Sequence, residues 1–417
     1  MRITIINQFY TPDLSPTAHL SASLAEGLAE RGHEITVVTS RGGYVDASPV
    51  GAAGGENPRV HRVWTPRLGK KSILKRLLDY ASFYLGAAWR MVRLRRQDVV
   101  ISLTTPPYIA WTGWLHRLLH PRVKLVLWNM DCYPDVVERA GMMKKGGILS
   151  RIMRFSNRAL FRRLDHLICL DQAMVDLLLG QYGPRKRTLP TTIIPNWEKT
   201  SAFPAVATGA GQRHPAGQFV LLYSGNMGVG HGFETVIDAA KEMREEAISF
   251  VFVGGGKRWQ WVKDAKDREG LERVTLRGYV AKEEMPVLLA AADCALITLR
   301  DEAVGVMSPS KLHGNLAMGL PVLYVGPKGS NVDEAIERFG CGVSVRNGDV
   351  AGMVAFLRRA MADEAERERL SKRAREAFDA AYCDERTLPQ FEAILAGLGV
   401  KEPTHSGQRA ATAPSQE

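Results

Sequence analysis

Several features that would place a protein in a common class are missing from this chain of 417 residues. Its five cysteines lie far apart and form no C-x-x-C pair, which disfavours a disulfide framework and a cysteine zinc site. No uninterrupted apolar run approaches the roughly 18 residues of a membrane-spanning helix, and the apolar start, Met1 to Ile6, is too short for a secretory signal. We therefore expect a cytoplasmic protein with reduced thiols that does not span a membrane.

The first half also lacks a dinucleotide-binding turn. The first apolar run continues into Gln8 to Thr17 without a glycine, so no G-x-G-x-x-G sequence lets the backbone approach a pyrophosphate there. This absence disfavours a dinucleotide-dependent oxidoreductase.

What the chain does have is a regular alternation of strand-like apolar runs and helical patterns. It predicts the α/β class, with two Rossmann-like, doubly wound parallel-sheet domains that face each other across a cleft. The first domain covers 1–199, a linker rich in Ala, Gly and Pro covers 200–218, and the second domain covers 219–383. We expect a terminal helix over 384–400, which could cross back to the first domain, and a disordered tail over 401–417. The predicted strands are 3–7, 34–39, 60–64, 98–103, 124–128, 166–170 and 192–194 in the first half, and 219–223, 248–253, 274–277, 294–298, 322–325 and 342–345 in the second.

The most informative segment is 307–322. Ser308, Ser310 and Lys311 open a predicted helix that stops at Gly319, and a strand follows. The serine and lysine end should therefore lie at the carboxyl edge of a parallel sheet, where α/β proteins hold phosphorylated ligands. Backbone N–H groups and an ammonium at such an edge favour an anion.

Two glycine-rich turns follow strands in the same half. Glycine permits close backbone approach, although tight strand-to-helix turns need it in any case. Together with the serine and lysine segment, the turns converge on one sheet edge and predict an anion-binding site. The turn residues concerned are Gly225, Asn226, Gly228 and His231 in the first turn, and Gly254 and Gly255 in the second.

The net charge of +11 is concentrated in two basic segments of the first half, 67–96 and 144–163. In the second segment Arg151, Arg154, Arg158 and Arg162 recur at helical spacing, with Ile152, Phe155, Ala159 and Phe161 expected on another face. Such an amphipathic helix could rest on anionic lipid. The alternatives are an ordinary helix with a solvated basic face, and a nucleic-acid surface, which is disfavoured because no recognised binding module accompanies the charge.

Four sequence elements, in this order, resemble glycosyltransferase family 4: residues 31–39, 194–197, 223–228, and 309–311 with 319–322. The resemblance covers about residues 1–385 and is closest to bacterial polysaccharide and lipid-linked-sugar enzymes with a Pro-Ser-Lys element, such as the colanic acid and aminosugar transferases. It implies a GT-B fold, with a nucleotide-diphosphate sugar held mainly by the second domain and the acceptor on the first. It also implies retention of anomeric configuration without a metal. The chain has no D-x-D sequence of the kind that holds a metal in other glycosyltransferases.

Lys311 is the first candidate for a catalytic role in this reading, because a metal-free transfer needs cationic side chains and N–H groups to stabilise the leaving diphosphate. We expect no cofactor besides the nucleotide sugar, with a UDP-sugar favoured. The expected donor-binding residues are Gly225, Asn226, Gly228, His231, Gly254, Gly255, Tyr279, Val280, Glu302, Ser308, Ser310 and Lys311.

The chain departs from the family at four positions. The family's Arg and Lys in the donor domain would fall near Asn226 and His231, and its two glutamates near Val306 and Gly314. The glutamate expected at Gly314 holds the nucleotide ribose in the family. Lys311, Ser308 and Ser310 could take over the stabilisation of charge. Glu302 could supply a carboxylate, or it could be a solvated loop residue.

On the acceptor side, Asp131 directly follows a predicted strand, and similar Asp-x-x-Pro elements in the family lie where the reaction takes place. We predict that Asp131 is the base or positioning group for the acceptor hydroxyl. The alternative is an aspartate that caps the helix starting near Pro134. His19 and Thr17, at the start of the first helix, are further acceptor-side candidates, and a structural role is the alternative for both.

These observations predict a retaining glycosyltransferase that moves a sugar to a lipid-linked or membrane-proximal saccharide in bacterial surface polysaccharide biosynthesis. We expect it on the inner face of the plasma membrane, bound to anionic lipid and not to nucleic acid. Two alternatives of the same fold remain: a nucleotide-sugar 2-epimerase, and an inactive partner that binds nucleotide sugar without turnover.

Overall fold

A computed structural model describes residues 1–13, 15–41, 57–66, 73–203, 218–281 and 284–399 of the chain. The tail expected at 401–417 and most of the linker expected at 200–218 lie outside the described residues.

The first half forms a seven-stranded sheet in the order β3-β2-β1-β4-β5-β6-β7, and every neighbouring pair is parallel. Its strands are β1 Arg2–Ile6, β2 Glu34–Ser40, β3 Arg59–Val63, β4 Val99–Ser102, β5 Lys124–Trp128, β6 His166–Cys169 and β7 Thr191–Ile193. Its helices are α1 Pro16–Glu30, α2 Ile73–Arg93, α3 Ala110–Leu119, α4 Asp135–Arg139, α5 Ile148–Phe161 and α6 Gln172–Tyr182.

The second half forms a six-stranded parallel sheet in the order β10-β9-β8-β11-β12-β13. Its strands are β8 Phe219–Asn226, β9 Ile248–Gly255, β10 Val274–Arg277, β11 Cys294–Thr298, β12 Val322–Val325 and β13 Gly342–Val345. The helices are α7 Glu234–Glu242, α8 Trp259–Glu269, α9 Met285–Ala290, α10 Lys311–Ala317, α11 Asn331–Phe339, α12 Val350–Ala362, α13 Glu364–Ala377 and α14 Asp384–Gly397.

The central strands of both sheets are apolar on both faces, which is why they read as continuous hydrophobic runs. Ile5 and Ile6 of β1 and Leu221 and Leu222 of β8 are successive residues whose side chains point to opposite faces, and all four are buried. In each sheet the chain adds strands first on one side of the first strand and then on the other. The strand order therefore reverses between β1 and β4 in the first sheet and between β8 and β11 in the second. Ligands of doubly wound sheets bind at the carboxyl ends of strands next to such a reversal.

The last helix, α14, packs against the first sheet, although the chain reaches it from the second. Phe391 meets the rings of Trp128 and Trp197 with centroids 5.0 and 5.7 Å apart. Leu388 lies against Gly27 of α1, where a Cβ would collide with it. The helix therefore ties the second domain to the first.

A second contact joins the domains next to the carboxyl end of β5. The Cys132 N–H donates to the Val306 oxygen at 3.1 Å, and the Arg139 guanidinium donates to the Val304 oxygen at 2.8 Å. The Val306 side chain is 1% exposed and packs into the core of the first domain. The turn that carries Asp131 thus lies against the loop that leads into α10.

The described residues include no helix with the length and apolar character needed to cross a bilayer.

Candidate active site

Lys311 is the first residue of α10, and its ammonium lies over the glycine turn after β8. Its Nζ is 3.4 Å from the Asn226 backbone oxygen, 3.3 Å from His231 Nε2 and 4.8 Å from the centre of the Tyr223 ring. Burial lowers the pKa of this ammonium from 10.5 to about 7. A cation held in a cleft with a pKa near neutrality is typical of a functional site.

Two glycines make this arrangement possible. Gly225 has a φ of +119°, and a Cβ there would lie 3.1 Å from Lys311 Cε. Gly254 has a φ of +136°, and a Cβ there would collide with the backbone oxygen of Gly225. The two glycine turns therefore pack directly on each other beside the lysine, as the sequence predicts.

The other expected donor-binding residues differ in their burial and in their distance from Lys311. His231 is 3% exposed and lies behind the lysine. Tyr279 is 68% exposed at the rim, with its hydroxyl 3.5 Å from Asn226 Oδ1, and Val280 is partly buried beside it. Gly228 lies next to the Asn226 amide, and Gly255 faces the Tyr279 ring.

Ser308 and Glu302 lie along the domain contact, and Ser310 directly precedes α10. Ser310 occupies the capping position of α10 without a side-chain hydrogen bond to it, and the Ser308 hydroxyl bonds to Asp171 of the first domain. Glu302 is exposed on a 3-10 turn, where its backbone oxygen accepts from Arg139 at 3.1 Å. The contacts of Ser308 and Glu302 are therefore with the first domain.

The two positions where the resemblance implies glutamates differ physically. Val306 packs into the core of the first domain, so a carboxylate there would be buried. At Gly314 the nearest side-chain atom to an added Cβ is Phe203 Cζ at 3.8 Å, so the site has room for a side chain.

Asp131 lies three residues beyond β5, and its backbone N–H donates to the Thr104 hydroxyl at 3.1 Å. Burial raises the pKa of its carboxyl from 3.8 to about 6, and the Arg76 guanidinium opposes this shift. The helix α4 begins at Asp135, with Pro134 in the capping position and no side-chain cap. Asp131 is therefore not the cap of this helix.

A small cavity adjoins Asp131 on the first domain. Its polar lining residues are Thr104, Tyr108, Asn129, Asp131, Tyr133 and Asn157. With a volume of about 20 Å³, this cavity has room for about one water molecule, so it is a polar niche beside Asp131 and is too small for a sugar ring.

Thr17 and His19 lie in the first turn of α1, at the carboxyl end of β1. The Thr17 oxygen accepts from the Asn7 side chain at 3.4 Å, and its hydroxyl is 3.0 Å from that of Ser15. His19 is half-buried, and its backbone N–H donates to the Ser15 backbone oxygen at 3.2 Å. Thr17 therefore helps to hold the start of α1 through its side chain, whereas this His19 bond belongs to the helical backbone.

One expected membrane-facing residue is placed differently by the structure. Arg151, Arg158 and Arg162 are exposed, but Arg154 points inward and donates to Asp135 Oδ1 at 2.8 Å, Glu138 Oε2 at 2.6 Å and the Tyr182 hydroxyl at 3.0 Å. The prediction for Arg154 is wrong because two buried carboxylates of α4 require a cation.

The expectation that Ile152 and Phe155 lie on a separate face from the arginines is wrong as well. They are 59% and 71% exposed among the arginines, because residues three and four apart share a helix face. The buried face of α5 consists instead of Ser150, Asn157, Leu160 and Phe161.

Sequence reasoning missed three residues that the structure brings to the site. Tyr223 lies under the Lys311 ammonium, and its position just before the glycine turn could have indicated it. Arg76 and Arg139 come from α2 and α4, and nothing in their local sequence distinguishes them from surface arginines.

Family comparisons agree with this architecture. Residues 18–197 match the Glycosyl transferase 4-like domain, and residues 210–377 match the Glycosyl transferases group 1 family. The chain belongs to glycosyltransferase family 4. The GT-B fold and the family expected from the sequence motifs are thereby confirmed.

Two relatives of this family 4 chain are bacterial. Escherichia coli K12 WcaI, whose name assigns it to colanic acid biosynthesis as a glycosyl transferase, is 26% identical over 87% of this chain and 92% of its own. Pseudomonas aeruginosa WbjE, named as a glycosyltransferase, is 27% identical over 70% of this chain and 73% of its own.

A solved structure shares the fold over nearly the whole length. Anabaena HepE, solved in complex with UDP-glucose, superposes with a TM-score of 0.67 at 16% identity, covering 95% of this chain and 100% of HepE. Within the described residues, no three His, Cys, Asp or Glu side chains are arranged to hold a metal ion.

Proposed function

We propose that this glycosyltransferase moves a sugar from a nucleotide-diphosphate sugar, with a UDP-sugar favoured, to a saccharide acceptor in surface polysaccharide biosynthesis. The observation that carries the proposal is the Lys311 ammonium, held within 3.4 Å of the glycine turn after β8. The UDP-glucose bound by HepE supports the donor class, and the colanic acid role in the name of WcaI supports the pathway class.

In the proposed reaction the bond between the anomeric carbon and the diphosphate oxygen breaks, and the acceptor oxygen forms the new glycosidic bond. Negative charge develops on the leaving diphosphate, where the Lys311 ammonium can stabilise it. The acceptor proton goes to the Asp131 carboxylate or to the leaving phosphate. The family resemblance supports retention of configuration and transfer without a metal ion.

The acceptor is proposed to be lipid-linked because α2 faces both the acceptor side and an exposed apolar surface. Near the start of α2, the exposed Arg76 acts on the Asp131 carboxyl through its charge and donates to the Tyr80 hydroxyl at 2.8 Å. The outer side carries an apolar stripe of exposed residues at helical spacing. We call this the α2 stripe; it consists of Leu78, Ala81, Leu85, Trp89 and Val92.

The α2 stripe has a basic and apolar neighbour in α5. Helix α3 packs against α2, and its Trp111 indole donates to Ser156 of α5 at 2.9 Å, so the three helices lie in one layer. Exposed apolar side chains interleaved with arginines suit the boundary of an anionic bilayer. The exposed residues concerned are Ile148, Leu149, Arg151, Ile152, Phe155 and Arg158 of α5, and Arg162, which directly follows the helix. They support attachment to the inner face of the plasma membrane.

The proposal is tested by incubating the purified protein with a panel of nucleotide-diphosphate sugars and lipid extracts, with and without EDTA. We expect sugar transfer to lipid that persists in the presence of EDTA. The anomeric configuration of the product, determined by NMR, should be the same as that of the donor. Formation of an epimeric nucleotide sugar without acceptor would identify a 2-epimerase. Nucleotide binding without any product would identify an inactive partner.

A further inference from the structure

We propose that His231 is a positioning residue that holds the Lys311 ammonium in place through a fixed neutral tautomer, rather than a residue that binds the sugar nucleotide directly. The inference rests on the proposed donor site for its functional meaning, but the contact itself is a property of the free protein.

The tautomer follows from the partner of the other ring nitrogen. His231 Nδ1 lies 2.6 Å from the backbone oxygen of Thr298 at the end of β11. A carbonyl oxygen only accepts hydrogen bonds, so Nδ1 carries the proton. In a neutral imidazole Nε2 then has a free lone pair, and this atom lies 3.3 Å from Lys311 Nζ, a donor without acceptor capacity. The directions of both hydrogen bonds are therefore determined.

Burial keeps the imidazole neutral. His231 is 3% exposed, and the Tyr223 ring packs across it with centroids 5.9 Å apart. Burial and, to a smaller extent, the charge of Lys311 lower the pKa of His231 to about 3. A protonated ring would place two cations in contact, so the imidazole acts as an acceptor throughout the physiological range.

The contact leaves the ammonium with a free donor. Lys311 has three N–H donors, of which one can reach His231 Nε2 and another the Asn226 oxygen. The Tyr223 ring face occupies a further side. The remaining donor is thus aimed away from these groups and can meet a phosphate oxygen without a search through side-chain rotamers.

Other titratable groups surround this cluster. Tyr223 comes from β8, Tyr279 follows β10, and the Arg300 and Glu234 ion pair, 3.2 Å long, flanks Gly232 next to His231. Asp171 approaches from the first domain through Ser308. Of these groups, Tyr223 is the one in direct contact with Lys311, together with His231 itself.

The first test measures the Lys311 titration in the free protein, with lysine labelled by 13C at Cε and the signal assigned through Lys311→Arg. Removing an acceptor of a charged donor disfavours the charged form, so His231→Leu should lower the Lys311 pKa by about one unit. His231→Gln offers an amide oxygen as acceptor and should restore most of the shift. An unchanged Lys311 pKa in folded His231→Leu would overturn the proposal.

The second test measures UDP affinity against pH. Because the uncharged lysine loses the phosphate contact, His231→Leu should weaken binding about tenfold at pH 8 and little at pH 6. In a Lys311→Met background the His231 substitution should have no additional effect. An additional loss there would show that His231 contacts the nucleotide directly and would overturn the positioning role. If the wild type binds no nucleotide, the proposed function fails, while the lysine titration still decides the His231 contact.

Discussion

At the scale of single residues, the site is built from two groups that burial moves towards neutral pH in opposite directions. The pKa of the Asp131 carboxyl rises to about 6, and that of the Lys311 ammonium falls to about 7. Each shift means that the folded chain disfavours the charged form of the group. At a pH where the group is charged, it therefore lowers the free energy of unfolding. Groups held in this way are retained where function needs them.

Removing the Lys311 ammonium should affect transfer far more than folding. Lys311→Ala is expected to lower kcat by roughly 10²- to 10³-fold, the scale of losing one preorganised donor, which corresponds to about 3–4 kcal/mol. The melting temperature should not fall, because the substitution removes a buried charge. Lys328→Ala, which removes an exposed lysine of the same domain, is the matched control. Wild-type turnover in Lys311→Ala would exclude the lysine from the reaction.

The pH profile of kcat/KM should be a narrow bell. Below about pH 6 Asp131 takes up a proton and cannot accept one from the acceptor, and above about pH 7 Lys311 loses its charge in the free protein. Lys311→Arg keeps its charge well above this range, so its alkaline limb should disappear, and the acid limb should disappear from the residual activity of Asp131→Asn. A flat wild-type profile between pH 5 and 9 would contradict both assignments.

At the scale of secondary-structure elements, the central strands could be predicted because they are apolar runs buried on both faces, as in β1, β4 and β11. The predicted strand at 219–223 corresponds to β8 Phe219–Asn226, which continues through the glycine turn. Side-chain direction could not be read in the same way. Arg154 and Arg158 belong to one helical repeat, yet buried Asp135 and Glu138 turn the first inward, and these carboxylates come from a separate helix.

The same limit applies to the candidate site. The sequence predicted that the glycine turns and Lys311 meet, because both lie at the carboxyl ends of parallel strands. It could not predict that Tyr223 lies beneath the ammonium or that the charge of Arg76 on α2 acts on Asp131, since both depend on the packing of distant segments.

The membrane proposal makes a prediction about α2 and α5 together. Leu85→Gln with Trp89→Gln should reduce flotation with phosphatidylglycerol vesicles, because these side chains are 74% and 60% exposed on the α2 stripe. Val287→Gln removes a side chain with 70% exposure on α9 of the second domain and should leave flotation unchanged.

The arginines of α5 should divide into two groups in the same assay. Arg151→Gln, Arg158→Gln and Arg162→Gln together should weaken salt-sensitive binding to anionic vesicles. Arg154→Gln should instead lower the melting temperature, because it leaves Asp135 and Glu138 without their cation. If the α2 and α5 variants all float with vesicles as the wild type does, α2 and α5 are ordinary surface helices.

At the scale of the whole molecule, the two domains meet through α14 and through the loop that carries Val306. That loop places Asp131 and Lys311 at one boundary: Cys132, next to Asp131, bonds to Val306, five residues before Lys311. The contact therefore constrains both the donor and the acceptor sides. It also explains why the two missing glutamates of the family have different consequences here.

Restoring each glutamate should separate these consequences. Val306→Glu would bury a carboxylate in the core of the first domain and should lower the free energy of unfolding by about 2 kcal/mol or more, without improving nucleotide binding. Gly314→Glu enters open space on α10 and should raise UDP affinity if a carboxylate there reaches the ribose, as the resemblance implies. Gly314→Ala gains the same helix propensity without the carboxylate and is the control, so tighter binding in Gly314→Glu alone isolates the ribose contact. A stable Val306→Glu protein that binds UDP more tightly would mean that the domain contact opens in solution, and the boundary that joins Asp131 to Lys311 would then form only when the donor is bound.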